Sequence, residues 1–388
     1  MALTGLADGP PLMSPAPLAS CAAGVARALE ALAPGALAID GAMLLGERAA
    51  LARFSRNGAI SPGGACRLLA ARDGMLAVNL PRETDWELLP AWLELDCPAD
   101  WGALAERVAM KSRDDLVARG RLLGLAIAPD VPPKSRTWYD LYTQGSRRAP
   151  PNRAPLVIDL SALWAGPLAA HLLLRAGARV IKVESRRRID GAREGPAAFF
   201  NRLHAGKEDR ILDFDAEAGD LRALIAQADI VVEASRPRAL KQFGLDPQAL
   251  VESLPGMVWI SITGYGRAQP QADWIAFGDD AAVAAGLSHV LREAHGESLF
   301  CADAIADPLT GLHAALAALA FYRQGRGGLI SLALRNVAAH CALFCPPAEG
   351  WRARAQNWAA HLEQCGKPFG GSMGASKPAH STSGRFPC

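Results

Sequence analysis

Beyond Leu156 the sequence returns repeatedly to one pattern: a short run rich in β-branched residues, then a stretch whose apolar residues recur every three or four positions. LVIDLS, RVIKVES, DIVVEAS and MVWISITGYG are such runs, and GPLAAHLLLRAGA and AGDLRALIAQA lie among the stretches between them. Neighbouring parallel strands need a crossover of a dozen or more residues, which a helix supplies. The alternation therefore predicts a parallel sheet covered by helices.

The expected fold class is α/β: a Rossmann-like, parallel-sheet large domain over 155–345, joined to a smaller, mainly helical α+β domain over 1–130. A chain of 388 residues has room for both. Residues 16–54 are Ala/Leu-rich with helical spacing, the break SRNGAISPGGA follows, and GMLAVNL reads as a strand. DWELLPAWLELD and DWGALAERVAMKSRDDLVARGRLLG are amphipathic helices, each opened by an Asp suited to capping. Between the domains, 131–154 is rich in proline and charge clusters without apolar periodicity and reads as a linker. The Gly, Ser, Pro and Lys of 346–388 give a tail expected to be partly disordered.

Bulk charge narrows the function classes. Lys and Arg number 41 against 39 Asp and Glu, so there is no global field to draw the chain onto nucleic acid or anionic lipid, and any anion site is local. The eight cysteines form no CxxC pair and have no histidine at zinc spacing, so no metal site is expected and the thiols read as reduced. The start MALTGLADGPPLM lacks a basic leader, and no apolar run reaches the roughly 18 residues of a membrane helix. A cytoplasmic protein without a membrane partner is expected.

Parallel sheets bind ligands at the carboxyl ends of their strands, which singles out three places. The turn Ser161 to Pro167 carries Trp164, Ala165 and Gly166 at a helix start, where free amides could face an anion or could merely make a tight turn. The run Arg186 to Arg193, with Lys207 in a later polar turn, concentrates cations that could hold a pyrophosphate or form a solvated loop. Asp307 precedes Pro308 and a long Ala/Leu helix. That is an N-cap arrangement, and it also exposes a carboxylate where acyl-transfer nucleophiles sit.

Taken together and in order, VIDLSALWAGPLAAHLLLRAGARVIKVES, KEDRILD, ADIVVEASRPRALKQFGL, WISITGYG and ADPLTGLHAALAAL followed by QGRGGLISLAL resemble the family III CoA-transferases, the group of formyl-CoA and carnitine CoA-transferases. The resemblance implies that Asp307 attacks the acyl-CoA carbonyl, giving a mixed anhydride and then an aspartyl-CoA thioester. It implies that Trp164, Ala165 and Gly166 lie along coenzyme A, and that Lys207 and the Arg186 to Arg193 loop face its adenine and phosphates. Coenzyme A would be a substrate rather than a permanently bound cofactor, the partners would be an acyl-CoA and a carboxylic acid, and a homodimer would be expected. The first half, from SPGGACRLLAARDGMLAVNL to GLAIAPDVPP, resembles the part that follows the catalytic Asp in ordinary members. The chain thus looks circularly permuted, with Ser61 to Gly64 as the glycine loop that closes on the intermediate and Gly63 and Gly64 as its catalytic amides; a plain turn remains the other reading of those glycines.

Trp164 stands where formyl-CoA transferase has Gln, and EASRPR lacks the Asn-Phe of many relatives, so substrate choice does not carry over. The racemase branch of the same fold needs a His partnered with the Asp. Phe277, Gly278, Asp279 and Asp280 occupy that place, while His313, His289 and His295 lie elsewhere. A non-catalytic CoA-binding relative is the third reading.

Overall fold

The protein, seen here as a computed structural model, is described over residues 2–364. Among these described residues ten strands fall into two sheets. Three of them, β1 (Cys66–Ala71), β2 (Gly74–Asn79) and β3 (Ala126–Pro129), form an antiparallel sheet in chain order. The other seven are β4 (Asp140–Arg147), β5 (Leu156–Leu160), β6 (Arg179–Ser185), β7 (Glu208–Leu212), β8 (Ile230–Glu233), β9 (Val258–Thr263) and β10 (Arg326–Ala333). They are ordered β4-β10-β9-β8-β5-β6-β7, with every pair parallel except β4 with β10. From β5 onward this is the doubly wound order, whose switch point lies between β5 and β8. The α/β expectation therefore holds.

The boundaries differ from the sequence reading in two ways. Residues 131–154 are not a bare linker, because β4 runs antiparallel along the outer edge of β10. Its DLYTQGSR alternates without an apolar face and is largely exposed, which suits an edge strand and hides the strand from hydrophobic periodicity. Nor is 1–130 one unit. The Leu18–Leu32 helix buries Leu18, Cys21, Ala22, Val25 and Leu29 in the same core as Leu168, Leu172, Ile260, Leu312 and Val337, so it belongs to the large sheet's helical layer. The separate small core is confined to the three-stranded sheet and its helices, around Leu76, Val78, Trp92, Leu104, Val108 and Ile127. Trp92 fixes it further by donating Nε1–H to the Leu116 carbonyl at 2.8 Å. Cys66, Leu68, Ala77 and Ala128 pack against Val283 and Phe300, joining the two units.

Within the region expected as a tail, Trp351–Gln364 is a helix; residues 365–388 lie outside the described residues. No described helix is long and apolar enough to cross a membrane.

Because Leu29 is 1% exposed in the large core, Leu29→Ala should cost about 2–5 kcal/mol of stability, the range for an emptied leucine site. Amide exchange of β9 read during a urea titration checks this; unchanged protection there would mean that the helix is not part of that core.

Candidate active site

The Ala306–Arg323 helix carries Asp307 and is buried on all sides, from Leu309 and Leu312 to Phe321 and Tyr322. Gly311 lets it press against the turn before the Ala165–Arg175 helix, since a Cβ there would lie 2.7 Å from the Ala165 carbonyl. The loop leading in is strained: Ala302 and Ala304 have φ of 57° and 41°, in the left-handed region that side chains avoid. The Ala304 N–H donates to Asp279 Oδ1 at 2.8 Å, which holds that geometry.

Asp307 is not the N-cap that its sequence context suggests. The cap position is Ile305, already helical at φ −58° and ψ −24°, and Asp307 is the second residue of the helix. Its carboxylate is therefore released from capping. It faces the Ala165 N–H on one side and Gly278 on the other, where any Cβ would overlap Asp307 Oδ2. Ala306 and Pro308 are buried while Asp307 as a residue keeps partial exposure. Burial pushes its pKa up to about 7; Arg48 opposes this, and Asp279 and Asp303 reinforce it.

Three more carboxylates crowd the same corner. Asp279 and Asp280 start the Gly278–Ala284 helix. Asp280 accepts from Asn79 Nδ2 at 2.8 Å and from the Phe277 N–H at 2.9 Å, yet burial raises it to about 7. Burial, then the charge of Asp303, raises Asp279 to about 6. Asp303 is fully buried and paired with Arg48, whose Nε and Nη2 donate to its two oxygens at 2.8 and 2.5 Å. Arg48 comes from the Glu47–Ala52 helix, and its guanidinium lies 5.2 Å from the Trp164 ring centre and 5.7 Å from that of Phe54. Burial opposes its charge, but the bond to Asp303 and the three carboxylates leave its pKa above the ordinary value. Sequence reasoning missed Arg48 because its partner is 255 positions away.

The glycine turn reaches this cluster. Ser61 is fully buried, receives the Cys66 N–H on Oγ at 3.2 Å, and also hydrogen-bonds Asp279. Gly64 has φ 83°, which requires glycine, and a Cβ at Gly63 would stand 3.6 Å from Arg48 Nη2. The turn before the Ala165–Arg175 helix closes the corner from the other side. Trp164 is 3% exposed and meets Phe199 edge-on at 5.2 Å. Gly166 is needed for an internal reason, since a Cβ would overlap the Ser161 side chain; the close approach expected from a ligand comes from within the turn. Asp307, the Trp164 to Gly166 turn and the glycine turn are thus brought together.

The cation assignments need correction. The Lys207 side chain is fully buried, with Nζ 2.8 Å from Asp159 and 3.0 Å from the Pro167 carbonyl, so it cannot face outward to a phosphate. Burial lowers its pKa, and despite burial Lys207 and Lys182 hold Asp159 well below the ordinary carboxylate range. Arg193 is engaged by Glu184 at 2.6 Å and lies 4.4 Å above the Phe200 ring. Arg186 is exposed, 4.0 Å from Glu217. The cations that do converge are Arg236, Arg238, Arg188 and Arg82: burial and then the charges of Arg238, Arg188 and Arg82 lower the Arg236 pKa. Arg188 follows β6 and Arg236 follows β8, on either side of β5, and neither forms an ion pair among the described residues. Arg236 and Arg238 are the arginines of EASRPR, and Arg188 belongs to the Arg186 to Arg193 run.

The histidines stand apart from Asp307. His313 Nδ1 is 2.7 Å from the Leu309 carbonyl, and burial lowers its pKa to about 4. His289 pairs with Glu293, and His295 with the Met13 carbonyl.

A family model described as CoA-transferase family III matches residues 155–359, more than half of the chain. The chain belongs to CoA-transferase family III. Its relatives include the succinate–glutarate CoA-transferase of Agrobacterium fabrum, 31% identical over 214 residues, with 50% of this chain and 54% of that protein covered. They also include the succinyl-CoA–D-citramalate CoA-transferase of Chloroflexus aurantiacus, 30% identical, covering 44% and 45%. The formyl-CoA:oxalate CoA-transferase of Escherichia coli is 27% identical, covering 46% of each. Among solved structures, a CAIB/BAIF family protein from Brucella suis is 27% identical with a TM-score of 0.43, over 57% of this chain and 59% of that one. The chain spans about half the length of the curated relatives it matches, and residues 1–154, with Arg48 and the glycine turn, lie outside the family match.

Asp280 carries a pH signature. A carboxyl raised from 3.8 to about 7 means that the folded state holds an extra proton in that interval. The resulting stabilisation is complete below the unfolded value and is lost as pH rises through about 7. Asp280→Asn, a mimic of the protonated acid, should therefore gain stability over the parent as pH climbs from about 4 to about 7 and gain no more above that. Urea midpoints measured across that range test this; parallel curves for the two proteins would contradict it.

Proposed function

We propose that this protein transfers coenzyme A between an acyl-CoA and a carboxylic acid, with Asp307 as the nucleophile. The observation that carries the reading is a desolvated carboxylate at a helix start that caps nothing, faces a backbone N–H, and belongs to a residue that keeps partial exposure. A carboxylate is a modest nucleophile, and removal of water with fixed orientation is what makes one effective.

The steps balance without a further reagent. Ionised Asp307 adds to the thioester carbonyl and the C–S bond breaks, giving a mixed anhydride and coenzyme A thiolate. The thiolate attacks the Asp307 acyl carbon, releasing the donor's carboxylate and leaving an aspartyl thioester. The acceptor carboxylate repeats the exchange in reverse order, and Asp307 is regenerated as carboxylate when the new acyl-CoA forms. The Ala165 N–H suits the oxyanion that develops on the Asp307 side, and from the glycine turn the Gly63 amide suits the same charge, whereas the Gly64 N–H, expected to share that role, instead donates to the Ser61 carbonyl at 2.8 Å. Arg188, Arg236 and Arg238, at the ends of β6 and β8, suit the phosphates of coenzyme A. Succinyl-CoA, in the name of the D-citramalate CoA-transferase among the relatives, is the donor to try first.

Incubation with succinyl-CoA should yield an Asp307-linked adduct that hydroxylamine releases, visible by peptide mass spectrometry. Asp307→Ala should abolish it and lower coenzyme A exchange by at least about a thousandfold, as expected when a nucleophile is removed. Full exchange in that variant would sink the assignment.

A further inference from the structure

The Arg48 side chain reaches Asp303 and Trp164 from a helix that lies outside the family match, and its placement is over-determined. Two bonds to Asp303 fix the plane of the guanidinium, and Trp164 and Phe54 hold it from the sides. These contacts use Nε and Nη2, so Nη1 keeps its donors uncommitted among the described residues. Such fixing of a charge near a reacting group is worth more than the charge alone, because no reorganisation is needed when the reaction begins.

We propose that Arg48 is a positioning residue for the Asp307 reaction: pinned on Asp303, it supplies the cation against which the Asp307 carboxylate is held ready to attack. The proposal rests on the transferase reading above. Around Asp307 stand Arg48 from the Glu47–Ala52 helix, Asp279 from the Gly278–Ala284 helix, Asp303 from the preceding loop, and the Ala165 N–H from the helix opposite. Ser61 acts through Asp279, while Asp280 and the buried Cys66 thiol stand behind them; burial, then Asp279 and Asp280, raises that thiol. With three acids and one cation, neutralising Arg48 leaves Asp307 facing only like charge. Its carboxyl would then hold a proton to higher pH, and a protonated carboxyl does not attack.

The test is the rate of Asp307 adduct formation from succinyl-CoA between about pH 6 and 9 for the parent, Arg48→Lys and Arg48→Met, with the fold of each checked by circular dichroism. Arg48→Met should move the acid limb up by about one unit or more, so that it loses about tenfold near pH 6.5 and recovers much of the rate near pH 9. Arg48→Lys, which keeps the charge, should leave the limb within about half a unit of the parent. An unmoved limb in Arg48→Met, or an equal loss at every pH, overturns the role of Arg48 while the parent's adduct leaves the transferase reading standing. A parent that forms no adduct overturns both. Should Arg48→Met fail to fold, Arg48→Gln carries the same expectation and the same overturning result.

Discussion

The Ala306–Arg323 helix has no polar face, and that constraint organises the large unit. A helix apolar on every side can exist only when it is enclosed. Here the Ala165–Arg175 helix, the Leu18–Leu32 helix, the Leu334–Ala342 helix and the sheet at β9 and β10 surround it. Its alanines and Gly311 allow the approach to be close, which brings Ala165 up to Asp307. The enclosure also explains why the first fifty or so residues cannot form a unit of their own: they supply one wall of the enclosure and, through Arg48, the counter-charge at its end.

That end is electrostatically expensive. Asp279, Asp280, Asp303 and Asp307 gather where two helices start and a loop turns through left-handed conformations at Ala302 and Ala304. Helix starts favour negative charge, yet burial of this depth outweighs it for three of the four groups. The fourth, Asp303, has a bidentate arginine instead. Two solutions to the same problem, protonation and pairing, therefore sit side by side, and Asp279 and Asp307 keep partial exposure.

Much of this was legible in the sequence where the signal is local. The β-branched runs located β5, β6, β8 and β9 of the parallel sheet, and Asp-Pro before an Ala/Leu run located the start of the Ala306–Arg323 helix, although the reading of Asp307 as its cap missed by two residues. Features set by distant partners were not legible. Lys207 sits in a stretch that reads as a polar turn, and only the fold reveals Asp159 beside it. Arg48 lies in an ordinary helical run, LLGERAALA, whose sequence gives no hint of Asp303. β4 escaped because an exposed edge strand needs no apolar alternation, and the prolines around it pointed to a linker.

The place of β4 sets the order in which the large unit can be completed. It precedes β5 in the chain yet pairs with β10, the last strand, while the Leu18–Leu32 helix waits for the Leu334–Ala342 helix, with Cys21 Sγ against the Cys341 carbonyl. Closing such contacts requires nearly the whole described chain to have been made, and loops of that span close slowly. During synthesis, then, the apolar side of the Leu18–Leu32 helix emerges from the ribosome some three hundred residues ahead of the surface that will cover it. Assembly of this corner is a late event in which both ends of the fold arrive together.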